Sequence, residues 1–231
     1  RTTSLPFKCA EHSDLSTAYV TVTLGTTPTA NVCAGQEVVE AFASTNSETP
    51  VNFLIRARAG SNVASSLLQK QKDQFLLVTG ELIPDKDKGE TVLLIRTVND
   101  AFEGQFINEA NVMGRCGGTI REAPKSSCIG VAVNRYDATQ SDNQAHWFNI
   151  RGFGKLKDRV DKLTSGDLVE VSGMLTAASN KEGKQYLEVK TRFLKVHLKK
   201  GGGGGQSNPA PKSNAAGMDD SDFLGDDMPF S

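Results

Sequence analysis

The chain has 231 residues, which suits one large domain or two small ones, and 38% of them are hydrophobic. No run approaches the 18 apolar residues of a membrane-spanning helix, so no such helix and no membrane partner are expected. The net charge of −1 conceals a division: residues 1–104 carry 9 basic and 12 acidic side chains, residues 105–200 carry 16 and 10, and residues 201–231 carry 1 and 5. A basic segment followed by an acidic end favours a polyanionic partner.

In chain order, residues 1–14 are irregular and lack the apolar run of a secretory signal. Short runs rich in Val, Ile, Thr and aromatic residues then predict nine strands, interrupted by two predicted helices. Residues 201–217 (GGGGGQSNPAPKSNAAG) have the composition of a flexible linker, and residues 218–231 are an acidic tip. The predicted strands are 18–24, 51–59, 75–83, 91–98, 110–116, 128–136, 146–154, 168–177 and 186–196, and the predicted helices are 61–71 and 155–163.

The order strand, short helix, polar turn, strand ending in V-[TS]-G-x-L, charged hairpin and strand occurs twice, with a period near 94 residues (Gly89 against Gly183). Five strands with one helix between the third and fourth are typical of the OB-fold, a Greek-key barrel. The sequence therefore predicts an all-β chain with two tandem OB domains, residues 15–104 and 105–200, before a disordered acidic tail. Gly80 and Gly173 are predicted to mark bulges or bends in their strands.

Little in the sequence indicates catalysis, a cofactor or a metal. The four cysteines show no C-x-x-C spacing, and reduced thiols are the simplest interpretation. The glycines of GRCGG (114–118) do not form a phosphate-binding loop of the G-x-x-x-x-G-K-[ST] type. We therefore expect no enzymatic activity, no cofactor and no metal.

The stretch HWFNIRGFG (146–154) carries the strongest functional signal. Because side chains alternate along a strand, Trp147, Asn149, Arg151 and Phe153 are predicted to share one face, opposite a core face. Interleaved aromatic and cationic groups suit single-stranded nucleic acid, whose bases stack on rings while Lys and Arg meet phosphates. The alternative is that the two rings cap the barrel or fill a subunit interface.

Further candidates lie around this stretch and in the first half. Tyr136 extends the stacking surface unless it is an ordinary edge-strand tyrosine, and Phe53 occupies a position near that of Trp147 unless it belongs to the core. The predicted phosphate contacts are Arg115, Arg135, Arg151 and Lys155 in the second half, and Arg56 and Arg58 in the first. Because the first half is acidic, we expect the second domain to hold most of the affinity.

The runs ANVMGR, VAVNRY, HWFNIRGFGKL and GDLVEVSGML, with the ending DDSDFLGDDMPF, resemble bacterial single-stranded DNA-binding proteins. The resemblance covers residues 108–198 and the tail, and residues 15–98 only in outline. It implies an OB-fold in which Trp147, Phe153 and, approximately, Tyr136 stack on single-stranded DNA. A further aromatic position of the family falls among residues 178–180, which are Ala, Ser and Asn here.

The same resemblance implies a function for the acidic tip. In the family this tip docks into replication, recombination and repair proteins: Pro-Phe enters an apolar pocket while aspartates meet basic residues. The matching residues here are Asp226, Asp227, Met228, Pro229 and Phe230. The family normally ends at the Phe, whereas Ser231 follows here, which moves the terminal carboxylate by one residue.

Two OB domains per chain imply a homodimer that presents four, with the homotetramer of single-domain members as the alternative. The implied location is the cytoplasm and nucleoid of a bacterium, or a phage or organellar source. Two other functions remain open at this point: an OB-fold module for RNA, and a primosomal or accessory assembly protein.

Overall fold

The computed structural model describes residues 15–47, 49–85, 91–137, 142–179 and 185–200, without the side chains of 135–137, 142–144 and 185. These parts of the chain form eleven strands and two short helices. The strands are β1 (Leu15–Leu24), β2 (Thr29–Cys33), β3 (Gln36–Thr45), β4 (Asn52–Arg58), β5 (Phe75–Pro84), β6 (Thr91–Asp100), β7 (Asn108–Ala123), β8 (Ser126–Asp137), β9 (Asp142–Phe153), β10 (Leu168–Ser179) and β11 (Gln185–Leu198), and the helices are α1 (Asn62–Leu68) and α2 (Lys155–Asp161).

Each of the nine predicted strands overlaps an observed strand, and both predicted helices are present. The prediction missed β2 and β3. β2 is exposed along nearly its whole length, so its sequence lacks the alternation of a half-buried strand. β3 begins with Gln and Glu and becomes buried only from Val38 onward. The predicted N-terminal region (1–14), linker and tip lie outside the described residues, as do Gly89 and Gly183 of the repeat.

The second barrel is a closed five-stranded sheet. β7 pairs with β8 and β10, β8 with β9, and β10 with β11, all antiparallel. A short parallel pairing of β9 with β11 completes the circuit. With α2 between the third and fourth strands, this is the predicted OB-fold.

The first barrel repeats this five-stranded plan and has a sixth strand. β1 pairs with β3 and β5, β3 with β4, and β5 with β6, and a parallel pairing of β4 with β6 closes the ring. β2 adds to β3 as an edge strand outside the ring. The five-stranded prediction therefore holds for the closed barrel and misses its edge.

The first strands of the two barrels pair with each other. β1 and β7 run antiparallel from Leu15 opposite Met113 to Val20 opposite Asn108. This pairing merges both barrels into one eleven-stranded sheet. Because equivalent strands meet antiparallel, the chain has the arrangement of an approximate internal dimer.

The internal repeat is confirmed by equivalent backbone hydrogen bonds. At the end of β1, the Leu24 N–H donates to the Gln74 carbonyl oxygen at 3.0 Å. At the corresponding point of β7, the Cys116 N–H donates to the Asp167 carbonyl oxygen at 2.8 Å. Both bonds connect a first strand to the turn that follows the helix.

Alternating apolar side chains of the strands fill both barrels. Val20 and Val22 of the first barrel and Ile129 and Val131 of the second are fully buried. Burial of such side chains is the main favourable contribution to folding. The described helices are too short and too polar to cross a lipid bilayer.

Gly80 and Gly173 lie at equivalent register shifts, as predicted for bulges. A Cβ at Gly80 would overlap the Leu94 carbonyl oxygen, and a Cβ at Gly173 would overlap the Lys190 carbonyl oxygen. In both places the partner strand crosses too closely for any side chain, which lets the barrel wall bend.

We expect Gly80→Ala and Gly173→Ala each to lower the free energy of unfolding by about 1–3 kcal/mol, because the methyl group forces two backbones apart. Urea denaturation followed by circular dichroism measures the change. Gly25→Ala is the matched control, since its nearest contact would be an ordinary 3.6 Å to the Phe42 carbonyl oxygen. Equal stability of Gly173→Ala and the control would contradict the close crossing.

Candidate nucleic-acid interface

β9 places its two aromatic candidates on the outer face of the second barrel. Trp147 is 55% exposed and Phe153 is 41% exposed, whereas Phe148 and Ile150 between them are buried. The strict alternation follows from the strand geometry, with one face towards the core. The rings are therefore available to a ligand on the outside of the barrel.

The indole of Trp147 lies against a floor made of two glycines. A Cβ at Gly117 of β7 would overlap the indole ring, and a Cβ at Gly130 of β8 would lie 3.3 Å from its Cε3 atom. The absence of side chains at both positions gives the ring room to lie across the neighbouring strands. Its other face is left to solvent, which is the geometry that base stacking requires.

Phe153 is held at the end of β9 by close packing behind it. A Cβ at Gly152 would lie 2.6 Å from the Leu156 carbonyl oxygen and 2.9 Å from Val160 Cγ2, so α2 starts directly behind the strand. Lys190 of β11 places its Nζ atom 5.3 Å from the centroid of the Phe153 ring. Lys190 is exposed and was not predicted, because its position depends on the parallel pairing of β9 with β11.

Arg151, predicted to contact phosphate, is engaged within the protein. Its Nε atom donates to Glu188 Oε1 at 2.7 Å, its Nη2 atom to Glu188 Oε2 at 3.0 Å, and its Nη1 atom to Ser126 Oγ at 3.2 Å. The hydrogen bond to Glu188 is the main cause that raises the pKa of Arg151. The carboxylate balances its charge, so Arg151 stabilises the fold, and its contact with phosphate stays a prediction.

Arg121 is a cation on this face that the sequence interpretation missed. Its guanidinium donates to Asn149 Oδ1 and lies 3.3 Å from Cys128 Sγ. Burial raises the pKa of the Cys128 thiol, although the positive charge of Arg121 acts to lower it. Arg121 follows a register shift in β7. Beyond such an irregularity, the alternation of side chains along the sequence no longer tells which face of the strand a residue lies on.

Two other predicted cations are exposed. Arg115 of β7 donates from Nη1 to the Gly166 carbonyl oxygen at 3.1 Å, and Lys155 is the first residue of α2. Arg135 and Tyr136 lie in β8, opposite Gln144 and Asn143 of β9. Their side chains are outside the described part of the structure.

The turn below Arg115 is fastened by Asp167, which is fully buried. Burial opposes ionisation of this carboxyl, but hydrogen bonds from the Lys199 side chain, the Lys200 backbone and Thr164 hold its pKa below the ordinary value. Burial, with the nearby Asp167 charge, raises the pKa of the Cys116 thiol to about 12. Cys116 is therefore a neutral core group at physiological pH.

In the first barrel, two predicted contacts are placed away from solvent. Phe53 is 5% exposed and belongs to the core, which was the alternative interpretation. Arg56 is buried between Glu40 and Asp85, to which it donates hydrogen bonds. Neither side chain can meet DNA in this conformation, so both predictions are corrected, whereas Arg58 is exposed as expected.

One group in the described residues brings potential metal ligands together. The ligand atoms of Cys33, Glu40 and Asp85 lie within 4.8 Å of one another. The guanidinium of Arg56 already makes ion pairs with both carboxylates, at 2.8 Å for Asp85. A cation there would have to displace an internal one, so this cluster does not fit a metal.

A cleft of about 270 Å³ lies beside Phe153, at the junction of the two barrels. One wall is formed by Thr49, Pro50 and Val51, which follow β3, and the opposite wall includes Phe153 and Lys190. The outer face of the second barrel therefore continues to the loop between β3 and β4.

No protein-family model matches the chain. No curated protein matches it in sequence. Among solved structures, the wild-type single-stranded DNA-binding protein from Thermus aquaticus is similar with a TM-score of 0.64 and 17% identity, over 85% of this chain and 98% of that chain. A deletion mutant of the same Thermus protein that also carries one arginine-to-alanine change gives a TM-score of 0.63 and 18% identity, over 82% and 97%. The similarity shows that the chain shares this fold, and the two-OB-domain architecture is confirmed.

We expect Gly117→Ala to lift the indole of Trp147 from the sheet, because the new methyl group overlaps the ring. Trp147 is the single tryptophan of the chain, so protein fluorescence reports on this site alone. The emission maximum should shift to the red and the acrylamide quenching constant should rise. Thr119→Ala, on an exposed position of the same strand, is the control, and an unchanged spectrum for Gly117→Ala would show that the ring lies elsewhere.

Proposed function

We propose that this chain binds single-stranded DNA without sequence preference, through the outer face of the second barrel. The observation that carries the proposal is the pair of exposed rings, Trp147 and Phe153, on one strand of a closed OB barrel. The Trp147 ring lies on its glycine floor, and both rings are exposed. A single-stranded nucleic acid offers the unpaired bases that such rings can stack on.

Four cations surround the rings and suit the phosphates between stacked bases. Arg115 and Arg121 lie on β7, Lys155 begins α2, and Lys190 lies beside Phe153. All four side chains are exposed. Each phosphate contact releases a condensed counterion, so the affinity should fall as salt rises. We propose Arg115, Lys155, Arg121 and Lys190 for this role. Arg135 and the ion-paired Arg151 are further phosphate candidates, and Tyr136 is a further stacking candidate.

We propose a homodimer that presents four barrels. β6, β5, β1, β7, β10 and β11 form one antiparallel surface across both barrels. Exposed apolar side chains lie on these strands: Leu15, Tyr19, Phe193, Val196 and Leu198. Because β1 and β7 relate the two barrels approximately as a dimer, a second copy is a suitable partner for this surface.

We propose that residues 218–231 recruit proteins of replication, recombination and repair. The proposal rests on the sequence: Pro229 and Phe230 are apolar anchors, and five aspartates suit a basic docking pocket. These aspartates are negatively charged, as DNA is, and residues 105–200 carry a positive net charge. The tip therefore also competes weakly with DNA for the basic face. The chain would then protect single-stranded DNA near the nucleoid and bring repair proteins to it.

We expect Trp147→Ala and Phe153→Ala each to weaken oligothymidine binding about 5- to 150-fold, because each removes a base stack of about 1–3 kcal/mol. Fluorescence anisotropy of labelled oligothymidine at fixed salt measures the affinity. Phe106→Ala is the matched control, since Phe106 is 69% exposed but lies in the connection between the barrels.

Unlabelled oligouridine and duplex DNA serve as competitors in the same assay. Weaker competition by both supports single-stranded DNA, and stronger competition by oligouridine would favour the RNA-binding alternative. Full affinity of the double variant Trp147→Ala/Phe153→Ala would overturn the stacking proposal.

The assembly and the tip are tested together with a chain that ends at Lys200. We expect both the full and the shortened chain to sediment with the mass of two chains.

At low salt the shortened chain should bind oligothymidine more tightly, because the competing aspartates are gone, and the difference should disappear as salt screens the charges. A monomer or tetramer would refute the dimer, and identical affinities at low salt would refute competition by the tip.

A further inference from the structure

The registers of the two barrels define which residues are equivalent. In the second barrel, Arg151 of β9 lies opposite Lys190 of β11, next to the bulge at Gly173. In the first, Arg56 of β4 lies opposite Leu94 of β6, next to the equivalent bulge at Gly80. Arg56 therefore occupies the position of Arg151. Four residues earlier, Asn52 occupies the position of Trp147.

The neighbouring strands align in the same register. Cys128 of β8 lies opposite Arg151, and Glu40 of β3 lies opposite Arg56. Two residues further along, Phe42 of β3 corresponds to Gly130 of β8. Gly130 is the floor on which the Trp147 indole lies, so the side chain of Phe42 starts where that indole contacts the sheet.

The two barrels thus exchange a large and a small residue between adjacent strands. The second barrel has Trp147 on β9 and Gly130 on β8. At the equivalent positions, the first barrel has Asn52 on β4 and Phe42 on β3. Phe42 is 51% exposed, close to the 55% of Trp147. Beside it, Leu54 is 7% exposed, and the Gly25 N–H donates to the Phe42 carbonyl oxygen at 2.8 Å.

We propose that Phe42 is the base-stacking residue of a second single-stranded DNA site, on the first barrel. This inference rests on the function proposed above and corrects its predicted residue from Phe53 to Phe42. The ring belongs to the strand that leads to Thr49, Pro50 and Val51, which line the cleft beside Phe153. DNA that leaves Phe153 along this cleft reaches the end of β3, three residues beyond Phe42.

The charges around Phe42 make this site the weaker of the two. The Arg56 guanidinium is balanced by Glu40 and Asp85, and Leu94 replaces Lys190. Exposed Arg58 remains as a cation on β4. At these equivalent positions, the first barrel therefore keeps a stacking group and has Leu94 where the second barrel has Lys190.

Moving the only tryptophan of the chain tests the proposal directly. In Phe42→Trp/Trp147→Phe, position 147 keeps a ring for stacking, and the indole reports contact at position 42. Oligothymidine of about 30 nucleotides is long enough to cover two OB barrels. We expect it to quench the fluorescence of this variant. Leu68→Trp/Trp147→Phe is the control, since Leu68 is 49% exposed but lies on α1, and its fluorescence should stay unchanged.

Wild-type Trp147 separates the two proposals. If oligothymidine quenches the wild type and leaves Phe42→Trp/Trp147→Phe unchanged, the second site is refuted and the proposed function stands. If neither is quenched, the proposed function itself fails. Phe42→Leu provides a second measurement that keeps an apolar side chain on β3: it should weaken binding of about 30 nucleotides at least threefold and leave binding of about 10 nucleotides unchanged. Equal effects on both lengths would also overturn the second site.

Discussion

The short parallel pairing that closes each barrel is the constraint on which the outer faces depend. It spans three register positions between β9 and β11, and three between β4 and β6. In the second barrel it places Glu188 where it binds Arg151, and Lys190 where it approaches the ring of Phe153. A slip of one residue would turn these side chains to the opposite face of the strand. The pairing that completes the fold therefore also composes the candidate binding face.

The arginine at this closure serves the fold in both barrels. Arg56 lies between two carboxylates, and Arg151 makes two hydrogen bonds to one carboxylate. Loss of one partner from a buried ion pair leaves an unbalanced charge, which costs several kcal/mol. The proposed difference in affinity between the barrels therefore rests on the exposed cations around these pairs. The second barrel keeps such cations on β7, α2 and β11, whereas Leu94 takes the place of Lys190 in the first.

The sequence predicts nine of the eleven described strands and the β9 face because those signals are local. In HWFNIRGFG, residues with polar or exposed side chains alternate with buried residues, so the sequence of this one strand suffices to assign its two faces. VNFLIRARA carries no such contrast: Phe53, Leu54, Ile55 and Arg56 are all buried. Lys190 and Arg121 gain their positions from partner strands beyond bulges, and an exposed edge strand such as β2 shows no burial pattern. Pairing register, which one strand does not contain, was the missing information.

Pairs of adjacent strands carry a signal that single strands lack. The indole of Trp147 can lie across β8 and β7 only because Gly130 and Gly117 have no side chains, so the three positions are sterically coupled. A larger side chain at position 130 would occupy the space of the Trp147 indole. The outer face of these strands therefore accommodates only one large residue at this point. In the first barrel, Phe42 of β3 stands at the position of Gly130, and the smaller Asn52 of β4 stands at the position of Trp147. An aromatic surface can therefore persist while its residue moves to another strand, and the aromatic residue of β4 itself, Phe53, belongs to the core.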